Sequence, residues 1–506
     1  MQPNTFDRHR FDQISHLCDE LLLAPGRSTT RAAIPWLHVL SEHPVHLQNY
    51  EDLFDKSGPK KLGFIRQCIN TFYALRPRFK CGFSKYFEAT SLPRRADVVF
   101  VSHLLNELQV NSESDFYFGR IPKVLQYNGY DAVVALINHT EIWHSKFIRK
   151  FKLQRLPRLI FSKHLGWVAE IGLLRTLRAE AAALRQSRIP AGDVLRARVS
   201  ECAAVRSTEP HSLFTLRLYA QVREVIKLLH PSAVVTTFEG HAWERIVFAA
   251  ARSVDSSIRC VGYQHATIYA RQHAMRRPLG QNFDPDLICA SGDIPRSMLA
   301  PIWEKSGVPV VTVGTHRVDH AAVALTTKCA SGNANSCLVL PDGTLEECLT
   351  ILNFVLEVAN QAKDIRFIIR MHPVMPFSRV IQNDSRLNEL PFNITLSDRS
   401  IDEDFARCRW AIYRGSGAAI RAVIAGLRPF YFQPDGETLS IDPLYPIKGW
   451  RWRVRIARDI VNRIRRDRVS NPVTLASELS PALDFCNKYF SPLDVEKFLR
   501  YVTEPR

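Results

Sequence analysis

The chain has 506 residues, more than a single hydrophobic core usually serves, so two or three domains are expected. It is 46% hydrophobic and 23% charged, as in ordinary globular proteins, and the absence of any stretch of about 18 uncharged apolar residues argues against a transmembrane helix. The net charge of +17 predicts an anionic partner, whether nucleic acid, anionic lipid or a phosphorylated substrate. The polar N-terminus and the scattered cysteines, without a CxxC pair, predict a cytoplasmic protein with reduced thiols and no zinc site.

Residues 1–95 are predicted to be a helical N-terminal region, and no chemistry is recognisable in them. Short β-branched runs then alternate with helical patterns, which is typical of parallel sheets covered on both faces. The predicted strands are 96–104, 130–140, 232–240, 258–265, 285–292, 308–314, 336–343, 365–373, 392–398, 409–417 and 428–435.

The polar segment 316–335 interrupts this alternation, and we interpret it as a linker. The sequence therefore predicts an α/β protein with two Rossmann-like domains facing each other across a cleft. The first domain would span 96–315 and carry a basic helical insertion at 145–230. The second would span 336–485, followed by a C-terminal helix at 486–506.

Two basic stretches account for much of the positive charge. The stretch 145–163 carries seven basic residues and no acidic one, interleaved with Phe, Ile and Leu, and the stretch 451–468 is similarly rich in arginine. Basic and apolar residues together favour an anionic membrane surface, although two solvated helix faces explain the pattern equally well. Without an RNP sequence or a zinc finger, nucleic acid is the weakest of the three candidates, and we predict no nucleic-acid partner.

Polar residues collect where the predicted strands end. Glu239, His265, His372 and Ser416 each follow a different strand. Ligands of open parallel sheets bind at the carboxyl edge, where loops and helix N-termini converge. This repeated pattern predicts a binding site at that edge.

Glu239 follows the strand-like run VVTTF, and a helical pattern begins directly after Gly240. A carboxylate at this position can cap the helix, or it can act as a general base aimed into a cleft. Glu is not one of the usual N-cap residues, so the base is favoured. Glu244, one turn further on, is predicted either to bind substrate or to be a surface carboxylate paired with Arg245 or Arg252.

Gln264 and His265 follow the next strand and are predicted to bind substrate. The alternative for His265 is a hydrogen-bonded structural histidine.

In the second predicted domain, the run IRFIIRMHP places Arg370 and His372 at a strand end, before Pro373. Both side chains donate to phosphate oxygens, and arginine does so bidentately. The alternative is a half-buried histidine before a proline that ends the strand.

The run YRGSGAAI carries the clearest pattern for anion binding. Arg414 ends a strand, Gly415, Ser416 and Gly417 follow, and a helix is predicted from Ala418. Backbone N–H groups and the dipole at a helix start favour phosphate. The alternative is a serine cap between two glycines.

Together these motifs resemble those of GT-B glycosyltransferases, and more narrowly bacterial sialyltransferases and Kdo transferases. Phe238-Glu239-Gly240 resembles their acidic-acidic-Gly motif with the first acid replaced, His372-Pro373 matches their HP motif, and Gly415-Ser416-Gly417 loosely matches their Ser/Thr motif. The runs DFYFG (115–119), FEGHAWER and GYQHATIY also resemble bacterial surface-carbohydrate biosynthesis proteins.

The resemblance implies an inverting, metal-independent glycosyltransferase of surface polysaccharide, capsule or lipopolysaccharide biosynthesis. Its donor would be a nucleotide sugar, CMP-linked to sialic acid, another nonulosonic acid or Kdo, and no further cofactor is implied. Glu239 and His372 would be the catalytic residues: Glu239 would deprotonate a glycan or lipid-linked acceptor, and His372 would bind the phosphate of CMP and assist its departure. Ser416 would bind the same phosphate. The basic stretches would hold the enzyme at the inner face of the plasma membrane.

Two alternatives stay open. CDP-glycerol glycerophosphotransferases share GT-B domains, an HP motif and basic faces. A non-catalytic GT-B-like scaffold that binds glycans would also carry these features.

Overall fold

The computed structural model describes residues 6–54, 85–88, 90–105, 109, 112–140, 156–187, 190, 192–318 and 335–503. Two β-sheets organise these residues, one of eight strands and one of six. The fourteen strands are β1 Tyr86–Glu88, β2 Val98–Leu104, β3 Ala132–Asn138, β4 Arg158–Phe161, β5 Ala233–Thr237, β6 Arg259–Gln264, β7 Leu287–Ala290, β8 Val310–Thr312, β9 Ser336–Leu340, β10 Arg366–Ile369, β11 Ile394–Leu396, β12 Trp410–Tyr413, β13 Arg428–Phe432 and β14 Trp452–Val454.

Both sheets have the strand order of a doubly wound fold. The first runs β1-β4-β3-β2-β5-β6-β7-β8, with β1 antiparallel at the edge and the other strands parallel. The second runs β11-β10-β9-β12-β13-β14 and is parallel throughout. In each sheet the strand order reverses beside the first parallel strand, between β2 and β5 and between β9 and β12. Ligands of Rossmann-like folds bind at this switch point.

Helices connect the strands and cover both sheets. They are α1 Arg8–Leu23, α2 Thr29–Ala32, α3 Pro44–Leu47, α4 Ile121–Tyr127, α5 Trp167–Arg185, α6 Val194–Ser207, α7 Pro210–Leu229, α8 Ala242–Val254, α9 Asp293–Trp303, α10 Leu345–Gln361, α11 Phe377–Ile381, α12 Ile401–Arg407, α13 Ala418–Ile424, α14 Ala457–Arg468, α15 Pro472–Tyr489 and α16 Val495–Thr503. Short 3-10 turns lie at Pro35–Leu37, Gln48–Leu53, Ala274–Arg276, Glu304–Ser306 and Ser385–Leu387.

Each sheet has a hydrophobic core on both of its faces. All five residues of β5 and all four of β12 are buried, which explains why the strands are continuously apolar in sequence. The prediction of two Rossmann-like α/β domains is therefore confirmed.

The N-terminal region shares one hydrophobic core with the helices α5 and α6. This core joins Phe11 and Leu22 of α1 to Leu177 of α5 and Val199 of α6. The prediction that 1–95 is a helical region is incomplete, because β1 lies within it and pairs with β4.

All eleven predicted strands are present, and β1, β4 and β14 were not predicted. The strands β4 and β14 lie inside the two basic stretches, where alternating arginines obscure the apolar pattern. Residues 145–155 of the first stretch are outside the described part of the chain. Among the helices of the described residues, none combines the length and apolarity needed to cross a membrane.

The carboxyl edges of the two sheets face each other and touch. His43 Nε2, before α3, lies 2.9 Å from Asp342 Oδ2, after β9. The Tyr269 hydroxyl, beyond β6, donates to the carbonyl oxygen of Gly415 over 2.7 Å. The predicted C-terminal helix is two helices, and the second, α16, packs Phe498 into the core of the first sheet.

Candidate active site between the two sheets

Glu239 lies in the tight turn that joins β5 to α8, beside the switch point of the first sheet. Gly240 follows it with φ +90°, a backbone conformation that residues other than glycine rarely adopt. A Cβ at Gly240 would also lie 2.4 Å from the carbonyl carbon of Ala274. The turn therefore requires glycine, and it fixes the direction in which Glu239 leaves the strand.

Glu244, and not Glu239, accepts the backbone N–H groups at the start of α8. Glu244 is fully buried, and its Oε2 accepts the backbone N–H groups of Gly240 and His241 over 2.8 and 2.9 Å. Both of its oxygens accept the N–H of Glu239 over 3.0 Å, and Oε1 accepts the Thr237 hydroxyl over 3.0 Å. The predictions of Glu244 as a substrate ligand or a surface carboxylate are both wrong, because all its contacts are within the turn.

Two imidazoles flank the Glu239 carboxylate. His265 Nε2 lies 3.4 Å from Oε1, and His241 Nε2 lies 3.7 Å from Oε2. The side chains of Glu239 and His241 are 28% and 35% exposed, whereas that of His265 is 2% exposed. Glu239 and His241 therefore reach open space in the cleft, whereas His265 is buried behind the Glu239 carboxylate.

Burial alone would raise the pKa of Glu239, but the polar contact with His241 and the charges of His265, His241 and Arg317 lower that pKa to about 2. Burial would lower the pKa of His241, but the polar contact with Glu239 and the carboxylate charges of Glu244 and Glu239 raise it. Burial and the charge of Arg317 lower the pKa of His265 to about 3. At neutral pH the site therefore holds an ionised carboxylate, a neutral His265 and a His241 whose pKa is raised above its ordinary value.

Arg317, which follows β8 within the segment interpreted as a linker, belongs to this site and was not predicted. Its charge acts on Glu239 and His265 of the first domain and on His372 of the second. Among the described residues no ion pair or side-chain hydrogen bond engages its guanidinium. The segment 316–335 was interpreted as a linker, so its polar pattern gave no indication that it supplies a cation to the cleft.

His372 follows β10 and lies on the opposite wall. It is half-buried, and its Nδ1 accepts the Val374 N–H over 3.4 Å, which leaves Nε2 to carry the proton in the neutral ring. Burial lowers the pKa of His372 despite the nearby Asp342 carboxylate, and Arg317 lowers it further. The charge of Arg317 acts on both His372 and Glu239. A Cβ on Gly343 would lie 3.1 Å from His372 Nδ1, so His372 lies next to Asp342, which contacts His43 between the two sheets.

Arg414 does not face the cleft, and its prediction as a phosphate ligand is wrong. Its side chain is 1% exposed and forms ion pairs with the carboxylates of Glu347 and Glu437. Removing this arginine from its two carboxylates to meet a phosphate would leave buried charges unpaired. Arg414 therefore acts as a structural cation beneath the loop that follows β12.

Two further predicted ligands are engaged elsewhere. Arg370 Nη1 donates to Asp404 Oδ2 over 3.1 Å and to the carbonyl oxygen of Arg399, so it is turned toward α12. Gln264 is fully buried, and its Oε1 accepts the N–H and hydroxyl of Ser291 over 3.0 and 3.1 Å. Gln264 is therefore fully committed to the fold, whereas Arg370, 27% exposed, is held by Asp404 through one of its nitrogens.

The loop with Gly415, Ser416 and Gly417 packs against the first domain. The Gly415 carbonyl accepts the Tyr269 hydroxyl, and a Cβ on Gly417 would lie 3.0 Å from Thr267 Cγ2. Ser416 is half-buried, and its Oγ accepts the N–H of Ala418 over 3.4 Å. Only Ser416 of this loop offers a side-chain hydroxyl to the cleft, and its role in phosphate binding stays a prediction.

Within the described ranges, no group of three or more His, Cys, Asp or Glu side chains is arranged to hold a metal ion. The metal-independence of the site stays a prediction.

The fold and site are those of a two-domain α/β protein with a polar cleft between the carboxyl edges of its sheets. Solved structures similar to this chain include the glycotransferase of kitacinnamycin, with a TM-score of 0.46 and 10% identity over 82% of this chain and 100% of that one. MurG of Acinetobacter baumannii has a TM-score of 0.44 and 12% identity over 80% and 99% of the chains. UDP-GlcNAc 2-epimerase of Neisseria meningitidis, bound to UDP-GlcNAc, has a TM-score of 0.42 and 12% identity over 80% and 98%.

No protein-family model matches the sequence, and no curated protein matches it. The resemblance to sialyltransferases and Kdo transferases therefore stays a prediction, and the functional argument depends on the side chains in the cleft.

Proposed function

We propose that the protein is an inverting glycosyltransferase that moves a sugar from a nucleotide donor to a hydroxyl acceptor. One observation carries this proposal. The ionised carboxylate of Glu239 lies between two imidazoles at the edge of the first sheet. The same cleft contains Arg317, whose guanidinium is unengaged among the described residues, and His372 from the second sheet. Glycosyl transfer needs a proton acceptor on one side of the anomeric carbon and an anion site on the other.

His241 is the proton acceptor in this proposal, and Glu239 orients it. A carboxylate with a pKa of about 2 takes a proton from a hydroxyl group poorly, whereas an imidazole with a raised pKa takes it well. The acceptor oxygen attacks the anomeric carbon, its proton passes to His241, and Glu239 stabilises the imidazolium. The bond from the anomeric carbon to the phosphate oxygen breaks as the new bond forms.

The leaving phosphate is stabilised by Arg317, His372 and Ser416. Arginine and the Nε2–H of a neutral histidine both donate to phosphate oxygens, and the serine hydroxyl adds a third donor. Arg317 replaces Arg370 and Arg414, which the sequence favoured.

For the donor we propose a CMP-linked sugar, with surface polysaccharide as the product, because of the His372-Pro373 and Phe238-Glu239-Gly240 motifs. The test is a thermal-shift panel of CMP, CDP, UDP, UMP and GDP with the wild-type protein and Arg317→Gln. Stabilisation by CMP that is lost in Arg317→Gln is expected. Stabilisation by UDP or GDP alone would indicate a UDP- or GDP-linked donor in place of the CMP-linked one. If no nucleotide stabilised the protein, the result would contradict the proposed function.

We also propose that the basic face of α14 holds the enzyme at an anionic membrane. Arg458, Arg465 and Arg466 are exposed there, and Val469, just after the helix, is 84% exposed. Exposed cations next to an exposed apolar side chain favour anionic lipid over water.

A further inference from the structure

Two cavities lie in the first domain beside the candidate active site. One of about 250 Å³ is formed between the N-terminal region and α7, and its walls include Trp36, His46, Asn49, Arg206, Glu209 and His211. The other, of about 380 Å³, lies above the ends of β3 and β4. His211, an exposed residue at the start of α7, lines both cavities, so they adjoin at this side chain.

The smaller cavity is next to the proposed proton acceptor. His46 is part of its wall, and the charges that act on His46 include those of His43, His241 and Glu239. The ring centroid of His46 also lies 5.8 Å from that of His43, whose Nε2 contacts Asp342 of the second sheet. A molecule in the cavity would therefore lie close to the contact between the two sheets.

The walls of the smaller cavity carry no net charge, although the chain as a whole is strongly basic. Arg206 Nη1 donates to both oxygens of Glu209 over 3.0 and 3.2 Å, so the two charges cancel. Burial lowers the pKa of His46 to about 3, so its ring is neutral at pH 7. A neutral cavity does not attract an anion, and this separates it from the phosphate site around Arg317.

The rest of the wall of the smaller cavity includes aromatic and amide groups that could contact a bound molecule. The Trp36 indole is fixed because its Nε1–H donates to the carbonyl oxygen of Asn49 over 2.9 Å, and the Tyr50 hydroxyl donates to the carbonyl oxygen of Trp36 over 2.7 Å. A rigid aromatic ring with planar polar groups around it packs against the apolar face of a sugar ring and bonds its hydroxyls. The volume is below the roughly 300 Å³ at which drug-sized pockets begin, which suits a single ring.

The larger cavity has a different chemistry. Ile137, Phe161, Leu213 and Phe214 supply most of its apolar wall, and Lys163 stands at its polar side. An apolar group attached to a sugar in the smaller cavity would pass His211 and be buried here.

We propose that these adjoining cavities form the acceptor subsite, and that the acceptor is a glycoside with an uncharged sugar ring and an apolar aglycone. The proposal rests on the proposed glycosyl transfer. It also gives the N-terminal region a role, since Trp36, His46 and Asn49 come from that region.

The test uses saturation-transfer NMR with methyl and octyl glucosides and octyl glucuronide, each below its critical micelle concentration. The protein is compared with His211→Trp, which fills the junction of the two cavities, and with His9→Trp, the same change at an exposed position of α1. Octyl glucoside is expected to give the strongest ring-proton signals, reduced at least five-fold in His211→Trp and unchanged in His9→Trp. The thermal shift by nucleotide should be the same in all three proteins, which also shows that His211→Trp folds.

Equal glucoside signals in His211→Trp and wild type would overturn the proposal, as would a stronger response to the glucuronide or no response to any glycoside. Glycoside binding in a protein that no nucleotide stabilises would overturn the acceptor role and the proposed transfer together, and the cavities would then be a glycan-binding site.

Discussion

Glu239 shows how much one residue's role depends on its neighbours. Its place at the end of a strand, before Gly240, was predicted from the sequence, and so was the choice between cap and base. Glu244 settles the question of the cap, because it accepts the backbone N–H groups of the turn. The sequence did not predict this, since nothing in the pattern around Glu244 distinguishes a buried cap from a carboxylate on the helix surface.

The pH dependence of turnover should identify the proton acceptor. Since the pKa of His241 is raised from 6.5, activity should rise with pH through a limb above 6.5 as His241 loses its proton. In Glu239→Gln the carboxylate that raises this pKa is gone, so the limb should move to lower pH, with a loss of rate. His241→Asn should remove the limb and lower kcat by about 10²–10⁴-fold.

These variants are measured as kcat against pH with the donor that the nucleotide panel identifies. If Glu239 accepted the proton itself, its pKa of about 2 would give no limb above pH 6.5, and His241→Asn would keep most of the rate.

Removing the buried Glu244 carboxylate should lower the free energy of unfolding more than removing the exposed Glu403 carboxylate. Glu244→Ala leaves three backbone N–H groups and the Thr237 hydroxyl without their acceptor, and the free energy of unfolding should fall by about 2–4 kcal/mol. Glu403→Ala, in the exposed capping box with Ser400 on α12, should cost about 0.5–1 kcal/mol. Urea denaturation of both variants checks this, and equal losses would contradict the buried capping role.

At the scale of elements, the strand pattern predicted most of the fold. Continuous apolar runs indicated eleven strands, and their alternation with helices indicated that the sheets are parallel, although the order of the strands was not predicted. The roles predicted for the side chains after the strands were less accurate. Arg370 and Arg414 follow strands, as phosphate ligands do. In the structure each forms ion pairs with carboxylates from a helix or loop that is distant in sequence. No local pattern reveals such long-range pairs.

The turn between β5 and α8 should tolerate no side chain at Gly240. Gly240→Ala meets both a positive φ and the backbone of Ala274, and we expect a loss of at least about 3 kcal/mol in unfolding free energy. Gly307 is the matched control, because its φ is +79° and a Cβ there meets nothing within 4 Å. Gly307→Ala should cost about 1 kcal/mol; similar losses in urea denaturation would mean that the contact with Ala274 relaxes easily.

The helix α14 buries Ile460, Val461 and Ile464, so any membrane contact depends on its charged face. Changing Arg458, Arg465 and Arg466 to Gln should weaken co-sedimentation with phosphatidylserine vesicles, by about 1 kcal/mol for each charge at low salt.

The control for this experiment removes three exposed cations from the first domain, Arg175, Arg178 and Lys305. Binding that falls equally in both triple variants would show a general effect of net charge and contradict docking through α14.

At the scale of the whole molecule, the two sheets are joined by contacts that no motif predicts. His43 reaches Asp342 from the N-terminal region, Tyr269 reaches the loop after β12, and α16 returns to the first sheet. The cleft is therefore defined by segments at both ends of the described chain as well as by the strands.

Truncation after Asp494 should destabilise the first domain, although the residues removed follow the second. Phe498, Leu499 and Val502 of α16 are at most 9% exposed, and burying such side chains contributes about 1.5–3 kcal/mol each. We expect the midpoint of thermal unfolding to fall by about 4–8 °C, the shift that a loss of about 4.5–9 kcal/mol produces in a chain of 506 residues. Truncation after Thr503 is the control and should leave the midpoint unchanged.

The return of α16 also affects how the protein matures. Domains generally fold as units, N-terminal first, while the chain is being synthesised. Here the first sheet cannot bury its patch around Phe100 and Tyr263 until Phe498 has been translated, because all three rings pack together. Its apolar surface must therefore stay uncovered while the entire second domain emerges from the ribosome, which is the period when a chaperone would have most to protect.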